Sequence, residues 1–359
     1  MEPLLEKMKQ YKKQNLPFVL YRKPNSKTVV GIFQNNDHVY FSKNLEEKGF
    51  IFAPFQDENR VVFPLEFSEV NFGTFKLKKD KDIILKKESS NDDEKNKFIS
   101  LVNKGVSAIL HGEFIKVVLS RTESILIKDF KIRKTFKRML QHYPSAFCYC
   151  WYHPKIGFWM GATPETLLQS QENKFTTMSL AGTQKFEENH LVSWEEKEKK
   201  EQSFVTQYII ENLKTISDEI IVSSPYTTRA GDLVHLKSDI QGVLKPNFSS
   251  KDVVTVLHPT PAVCGLPKDI AKDFILENEL YDREFYTGFL GELNHDFAKN
   301  ETATDLYVNL RCMKINSSQN SDTATATLYT GCGITDQSKA EDEWEETVNK
   351  SKTMKSIFQ

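Results

Sequence analysis

The chain is poor in cysteine, with Cys148, Cys150, Cys264, Cys312 and Cys332 the five in its 359 residues. The number is odd, and neither a CxxC pair nor a histidine spacing marks a zinc site. They read as reduced thiols, with Cys148 and Cys150 on one face of a strand. Charge of a single sign is lacking as well. Lys and Arg total 48 against 49 Asp and Glu, a formal charge of -1, so no global field draws the chain to nucleic acid or to an anionic membrane. A charged ligand must be met by a local site. Nowhere do eighteen apolar residues run together, and the opening MEPLLEKMKQYKKQ is charged throughout where a secretory leader would have an apolar core. We therefore expect a cytoplasmic protein. No internal repeat of fixed period is visible. What the chain does have is aromatics, 11% of residues and 25 of them Phe, the content of a packed globular interior.

Along the first 85 residues, short apolar runs (LPFVLYRK, TVVGIF, HVYFS, GFIFAPF) alternate with Pro, Asn and charged turns, the pattern of antiparallel strands. KKESSNDDEKNK, Lys86 to Lys97, reads as a polar connection. FISLVNKGVSAILHGEF then has helical spacing and feeds the strand-like IKVVLSRTESI. The helix FKRMLQHY precedes AFCYCWYHP and IGFWMGATPE, two strands joined by a tight turn at Pro154 to Gly157. In FVTQYIIENLKTI, Phe204, Tyr208, Ile209, Leu213 and Ile216 recur at helical intervals and should face a core. LVHLKSDIQGVL reads as a strand, HPTPAVCGLPK as a Pro-rich loop, and TDLYVNLRCMKI and TATATLYTGCGI as two strands joined by the hairpin loop NSSQNSD. A last helix begins near Ser338. Strands dispersed among helices, with hairpins, predict an α+β architecture.

Two acidic runs carry the chemistry. EDEWEETVNK, Glu341 to Lys350, crowds five carboxylates around one Trp. Charge runs commonly coat a solvated helix face, but Glu343 and Glu346 stand three apart, so a helix projects both from one side. Glu198 and Glu201 in EEKEKKEQ repeat that interval. A surface account exists for this second run too, because Glu195 with Lys199 and Glu196 with Lys200 have the spacing of exposed ion pairs. Four oxygen donors from two helices would equally suit Mg²⁺, a hard cation that leaves room for an anionic substrate.

The ordered segments IKVVLSR, GATPETLL, LAGT, VHLKSDIQG, HPTPAVCGLP, REFYTGFLGEL, LYVNLR, YTGCGI and EWEETVNK together resemble the chorismate-binding enzymes, a family holding isochorismate synthases, salicylate synthases and the large subunits of anthranilate and aminodeoxychorismate synthases. The likeness runs from Phe98 to the C-terminus. Residues 1–95 match poorly, and the LLEK at Leu4 to Lys7, similar to a tryptophan-sensing LLES stretch but with Lys for Ser, reads as a helix start. The resemblance implies one catalytic unit over residues 1–359, an α+β fold of two facing antiparallel sheets with helices outside, and a site in a cleft between the halves. It also implies a single Mg²⁺, with Glu201 and Glu346 as direct ligands and Glu198 and Glu343 supporting them. Where the family usually has Glu-His, this chain has Glu201-Gln202.

Members differ in the nucleophile that attacks the shared substrate. The ammonia-using enzymes generally have Gln before VVLS, whereas Lys116 here is similar to the water-using branch. The nucleophilic Lys of a PIKGT motif is replaced by Ala181 in SLAGT. The resemblance is thus to isochorismate synthase, with chorismate as substrate, no covalent intermediate, no glutaminase subunit and a monomeric chain expected. It casts Lys116 as general base and Glu165 as general acid on opposite faces of the ring. Backbone amides around Gly182 and Thr183 would help the metal hold the ring carboxylate. Tyr286, Arg311, Gly331, Gly333 and Lys350 would hold the enolpyruvyl carboxylate, with His235 and Ala262 beside the ring. Salicylate synthase, which adds pyruvate elimination, stays open, as does the destination of the product in menaquinone or catechol siderophore synthesis. An ammonia-dependent anthranilate-type subunit is the reading that Lys116 opposes.

Overall fold

The computed structural model describes residues 1–77, 92–186, 192–230, 233–317 and 323–358. Residues 86–91 of the expected polar connection and 318–322 of the expected hairpin loop lie outside them. Among the described residues there are seven α-helices: α1 (Glu2–Lys13), α2 (Asp92–Leu110), α3 (Ile132–His142), α4 (Glu196–Leu213), α5 (Ser250–Leu257), α6 (Lys268–Asn278) and α7 (Ala340–Lys355). They surround two sheets whose strand pairs are all antiparallel. The nine-stranded sheet runs Gly265–Leu266, Lys116–Ile127, Ala324–Ile334, Cys312–Ser317, Gly157–Thr163, Phe147–His153, Phe18–Arg22, Thr28–Gln34, Ser68–Thr74. The ten-stranded sheet runs Ser217–Val222, Leu233–Leu244, Lys174–Lys185, Thr166–Gln171, Thr304–Val308, Phe289–Leu293, Gly49–Ala53, Val61–Pro64, Tyr40–Phe41, with Tyr226–Ala230 also paired to Leu233–Leu244.

Side-chain alternation along the strands divides the interior into layers. Tyr21, Phe52, Tyr149, Trp151, Trp159, Phe285 and Tyr307 pack between the sheets, with Phe147 stacked on Tyr307 at 4.2 Å. On the outer face of the nine-stranded sheet, Cys148 and Cys150 share a cluster with Leu5 and Met8 of α1 and Phe136 and Met139 of α3, so the two thiols do lie on one strand face. On the outer face of the other sheet, Val205, Ile209 and Leu213 of α4 meet Val253 and Leu257 of α5. Phe204 departs from expectation: it is 42% exposed, on the side of α4 turned away from that core. LLEK lies inside α1, where Leu4 and Leu5 are buried. The poorly matching first residues enter both sheets, Phe18–Arg22 pairing with Phe147–His153 and Gly49–Ala53 with Phe289–Leu293.

Two chain passages cross between the sheets and carry residues into the gap. Gly157–Thr163 belongs to the nine-stranded sheet and Thr166–Gln171 to the other, so Pro164 and Glu165 span the gap. The segment expected as one strand, TDLYVNLRCMKI, is two. Thr304–Val308 ends in one sheet, Cys312–Ser317 begins in the other, and Arg311 between them has φ 47°. That left-handed conformation breaks a strand in a way that alternating hydrophobicity does not reveal. The passages are laced together: Val308 N–H donates to the Glu165 carbonyl at 3.0 Å, Thr163 Oγ1 to the Val308 carbonyl at 2.6 Å, and Ala162 N–H to the Arg311 carbonyl at 3.1 Å.

Candidate active site

The acidic run on α7 separates by helical face. Glu341, Asp342 and Glu345 are exposed, while Glu343 is buried and Glu346 half-buried, on the face that also buries Trp344, Thr347 and Lys350. Glu341, Asp342 and Glu343 occupy the first turn, where carboxylates oppose the helix dipole favourably, and Lys352 and Lys355 the last. The strand Lys116–Ile127 clasps this helix. Arg121 lies over the Trp344 ring at 4.2 Å and donates to Thr347 Oγ1 at 2.8 Å, and Lys355 pairs with Glu123 at 2.5 Å. On α4 the surface pairing is Lys199 with Glu196 at 2.9 Å, three residues apart and not four. Glu198 and Glu201 turn towards α7. Gln202 is buried beside them, its amide reaching the Ser179, Thr206 and Ser238 hydroxyls, and it does not line the cleft.

That cleft is lined by Lys116, Glu165, Gly182, Glu198, Glu201, His235, Ala262, Arg311, Gly333, Glu343, Glu346 and Lys350. Pro164, Leu180, Ala181 and Leu310 complete it. Sequence reasoning had not placed Pro164, Leu180 or Leu310 there, although each adjoins a residue that it had. Tyr286 and Gly331 are one layer behind. A Cβ on Gly331 would come 2.9 Å from the Tyr286 hydroxyl, and the Gly331 carbonyl accepts a 2.8 Å hydrogen bond from Lys350 Nζ. Gly331 and Gly333 lie in the strand Ala324–Ile334, opposite Ser120 and Val118. Thr183 is in the strand Lys174–Lys185, and its side chain is outside the description.

Electrostatics differ from group to group. Lys116 is 4% exposed, and its Nζ is 2.6 Å from Glu201 Oε1. Lys350 Nζ is 2.5 Å from Glu346 Oε1. Burial pushes the Glu165 carboxyl up to about 7, against the opposing pull of Arg311, Lys116 and Lys350. Burial also lowers Arg311 from its ordinary value. It drives His235 down to about 3, with Arg311 adding to the effect. His235 is then neutral, and its Nδ1 lies 2.9 Å from the Gly182 carbonyl; donation to that oxygen leaves Nε2 as an acceptor. Gly182 has φ +69°, and a Cβ there would come 3.1 Å from Trp194 and 3.2 Å from Glu198. The register between Lys174–Lys185 and Leu233–Leu244 shifts between Ala181 and Gln184, a bulge that leaves backbone groups at Gly182 and Thr183 outside the regular ladder.

Among the described residues, no three His, Cys, Asp or Glu side chains are gathered closely enough to form a ready cage for an ion. The donors nonetheless fit a hard cation in kind and place. Four carboxylates line one cleft, and Glu198 Oε2 is buried without a hydrogen-bond partner, an arrangement a cation would relieve.

Comparison with known proteins agrees with this geometry. A family model described as chorismate binding enzyme matches residues 66–359. Isochorismate synthase EntC of Escherichia coli is 29% identical over 276 residues, 74% of this chain and 68% of that protein. MenF, the menaquinone-specific isochorismate synthase of Escherichia coli, superposes with a TM-score of 0.77 at 19% identity, covering 96% of this chain and 89% of the other. Anthranilate synthase component I from Streptococcus pneumoniae gives 0.68 at 20% identity, covering 94% and 92%. These structural likenesses show the shared fold.

Proposed function

The chain belongs to the chorismate-binding enzyme family, and from that membership we propose that it is an isochorismate synthase, converting chorismate to isochorismate in a Mg²⁺-dependent reaction with water as nucleophile. One observation carries the reading: an amine and a carboxylic acid, Lys116 and Glu165, are both buried in the wall of one cleft that also holds four carboxylates. Curated isochorismate synthases among the relatives support the choice of reaction. All 359 residues form one catalytic unit that acts in the cytoplasm as a monomer, without a glutaminase.

Lys116, as general base, takes a proton from water as the oxygen bonds to C2 of the ring. The double bonds shift and the C4–O bond breaks. Glu165, protonated up to about pH 7, gives its proton to the departing hydroxyl, which leaves as water; hydroxide alone is a poor leaving group. One water enters and one leaves, so the product is an isomer. Glu201 and Glu346 would ligate the metal directly, with Glu198 and Glu343 in support. A bound ion would supply positive charge against the ring carboxylate, held by Glu201 and Glu346, whose partners here are Lys116 and Lys350. Arg311 and Lys350 receive the enolpyruvyl carboxylate. Arg311 offers a planar fork, and Lys350 is oriented by the Gly331 carbonyl, with Tyr286 and Gly333 shaping that side. His235 Nε2 accepts from a substrate hydroxyl, and Ala262 sets the width of the pocket at the ring.

Purified protein with chorismate and Mg²⁺ should form isochorismate and no fluorescent salicylate. Lys116→Ala and Glu165→Gln should each lower kcat by roughly a hundred- to ten-thousandfold with the fold retained. Full turnover in both variants would end this mechanism.

A further inference from the structure

Outside the cleft, Glu279 and Arg283 form a closely connected ion pair. Both are buried, at 8% and 3% exposure. Arg283 Nε donates to Glu279 Oε2 at 2.7 Å and Nη2 to Oε1 at 2.6 Å. Of the remaining guanidinium donors, Nη2 reaches the Val118 carbonyl at 2.7 Å, and Nη1 reaches the Val263 carbonyl at 2.9 Å and Thr287 Oγ1 at 3.3 Å. Glu279 Oε1 accepts in turn from Ser120 N–H at 2.7 Å and from Ser120 Oγ at 2.8 Å.

These contacts complete a strand edge. The strand of Lys116 is bordered on this side by Gly265–Leu266, only two residues long. Ile115 N–H donates to the Leu266 carbonyl and Val118 N–H to the Cys264 carbonyl, each at 2.7 Å. Beyond that point no strand among the described residues meets the Val118 carbonyl or the Ser120 N–H, and the Arg283 and Glu279 side chains take its place. The same guanidinium holds Val263, next to Ala262 of the cleft wall. Gly265 packs so closely that a Cβ would stand 2.3 Å from the Lys116 carbonyl. Neither Glu279 nor Arg283 lines the cleft.

We infer that Glu279 and Arg283 are positioning residues, a two-side-chain substitute for a strand that fixes the Lys116 main chain relative to the Ala262 wall and so sets the rate of the chemical step. This rests on the proposed isochorismate synthase reaction. Its logic is general: a buried bidentate pair has a fixed geometry that a lysine point charge does not reproduce, and small misplacements of a base are costly in kcat.

The test compares wild type with Arg283→Lys and, as the milder change, Glu279→Gln, assayed well below their unfolding temperatures. Hydrogen exchange is followed on peptides spanning residues 115–121 and 262–267. Both variants should exchange faster in these two segments only, kcat should fall roughly ten- to a hundredfold, and KM for chorismate should stay within about twofold, since no group that touches substrate is changed. An unchanged kcat in a folded variant, with or without faster exchange, would overturn the positioning role. So would a loss confined to KM. Wild-type protein that does not convert chorismate would remove the functional reading and this role with it, whereas an active wild type with fully active variants would remove this role alone.

Discussion

Glutamine at position 165 should make the protein more stable at alkaline pH while it lowers turnover by roughly a hundred- to ten-thousandfold. Burial raises the Glu165 carboxyl from its ordinary 4.5 to about 7, against the pull of Arg311, Lys116 and Lys350. In the unfolded chain the group titrates near the ordinary value. Between those two pH values the folded state therefore keeps a proton that the unfolded state has released, and stability falls as pH rises, by about 1.4 kcal/mol per pH unit at most. The loss is complete just above pH 7 and totals about 3 kcal/mol. Glutamine has a similar shape and no proton to lose. Groups that titrate elsewhere affect both proteins alike, so the difference between variant and wild type isolates this site. That difference should grow by about 2.5 kcal/mol from pH 5 to pH 8, in favour of Glu165→Gln. Urea titrations followed by circular dichroism at the two pH values measure it directly. A difference that stays constant would show that the carboxyl ionises alike in both states, and one that grows in favour of wild type would show that its neighbours hold it ionised. Either result refutes Glu165 as an acid that retains its proton.

The same carboxyl should appear in the kinetics, with kcat/KM falling up to tenfold per pH unit above about 7 as Glu165 ionises in the free enzyme; a level profile to pH 9 would count against it. Gly333→Ala places a Cβ 2.8 Å from Glu201 Oε1 and 3.0 Å from Lys116 Cε. These are flexible side-chain ends, so the unfolding temperature should change little while kcat falls at least roughly tenfold, and retained activity would contradict the placement of Lys116. Gly182→Ala combines φ +69° with a contact of 3.1 Å to Trp194. It should cost about 1–3 kcal/mol in denaturant titrations and raise KM for chorismate, whereas a neutral effect on both would show that the bulge has no part in binding.

Much of the site was legible because its chemistry is local in sequence. Glu343 and Glu346, like Glu198 and Glu201, are spaced to share a helix face, and the ordered motifs pointed to Lys116, Glu165, His235 and Lys350, all of which line the one cleft. What stayed hidden depends on backbone conformation or on distant partners. Arg311 looked like a residue within a strand because its neighbours alternate, yet its own φ of 47° is what carries the chain between sheets. Gly331 and Gly333 lie in the strand expected for them, but the sequence did not show that this strand presses against Tyr286, Lys116 and Glu201. Phe204 fits the helical repeat of α4 and still faces outward, since a period does not say how wide the covered stripe is. The strands Val61–Pro64 and Ser68–Thr74 lie past the last recognised run of that stretch and show themselves through their pairing.

The family model begins at residue 66, yet the stretch before it supplies the next neighbour to Phe147–His153 in one sheet and to Phe289–Leu293 in the other. A shortened protein that kept every residue of the cleft would therefore carry two raw hydrogen-bonding margins, the first rich in aromatic side chains, and each able to recruit a foreign chain. Divergence in that opening stretch is freedom of wording within a compulsory clause: its spelling can drift, but a β-forming ribbon has to be there to seal both flanks.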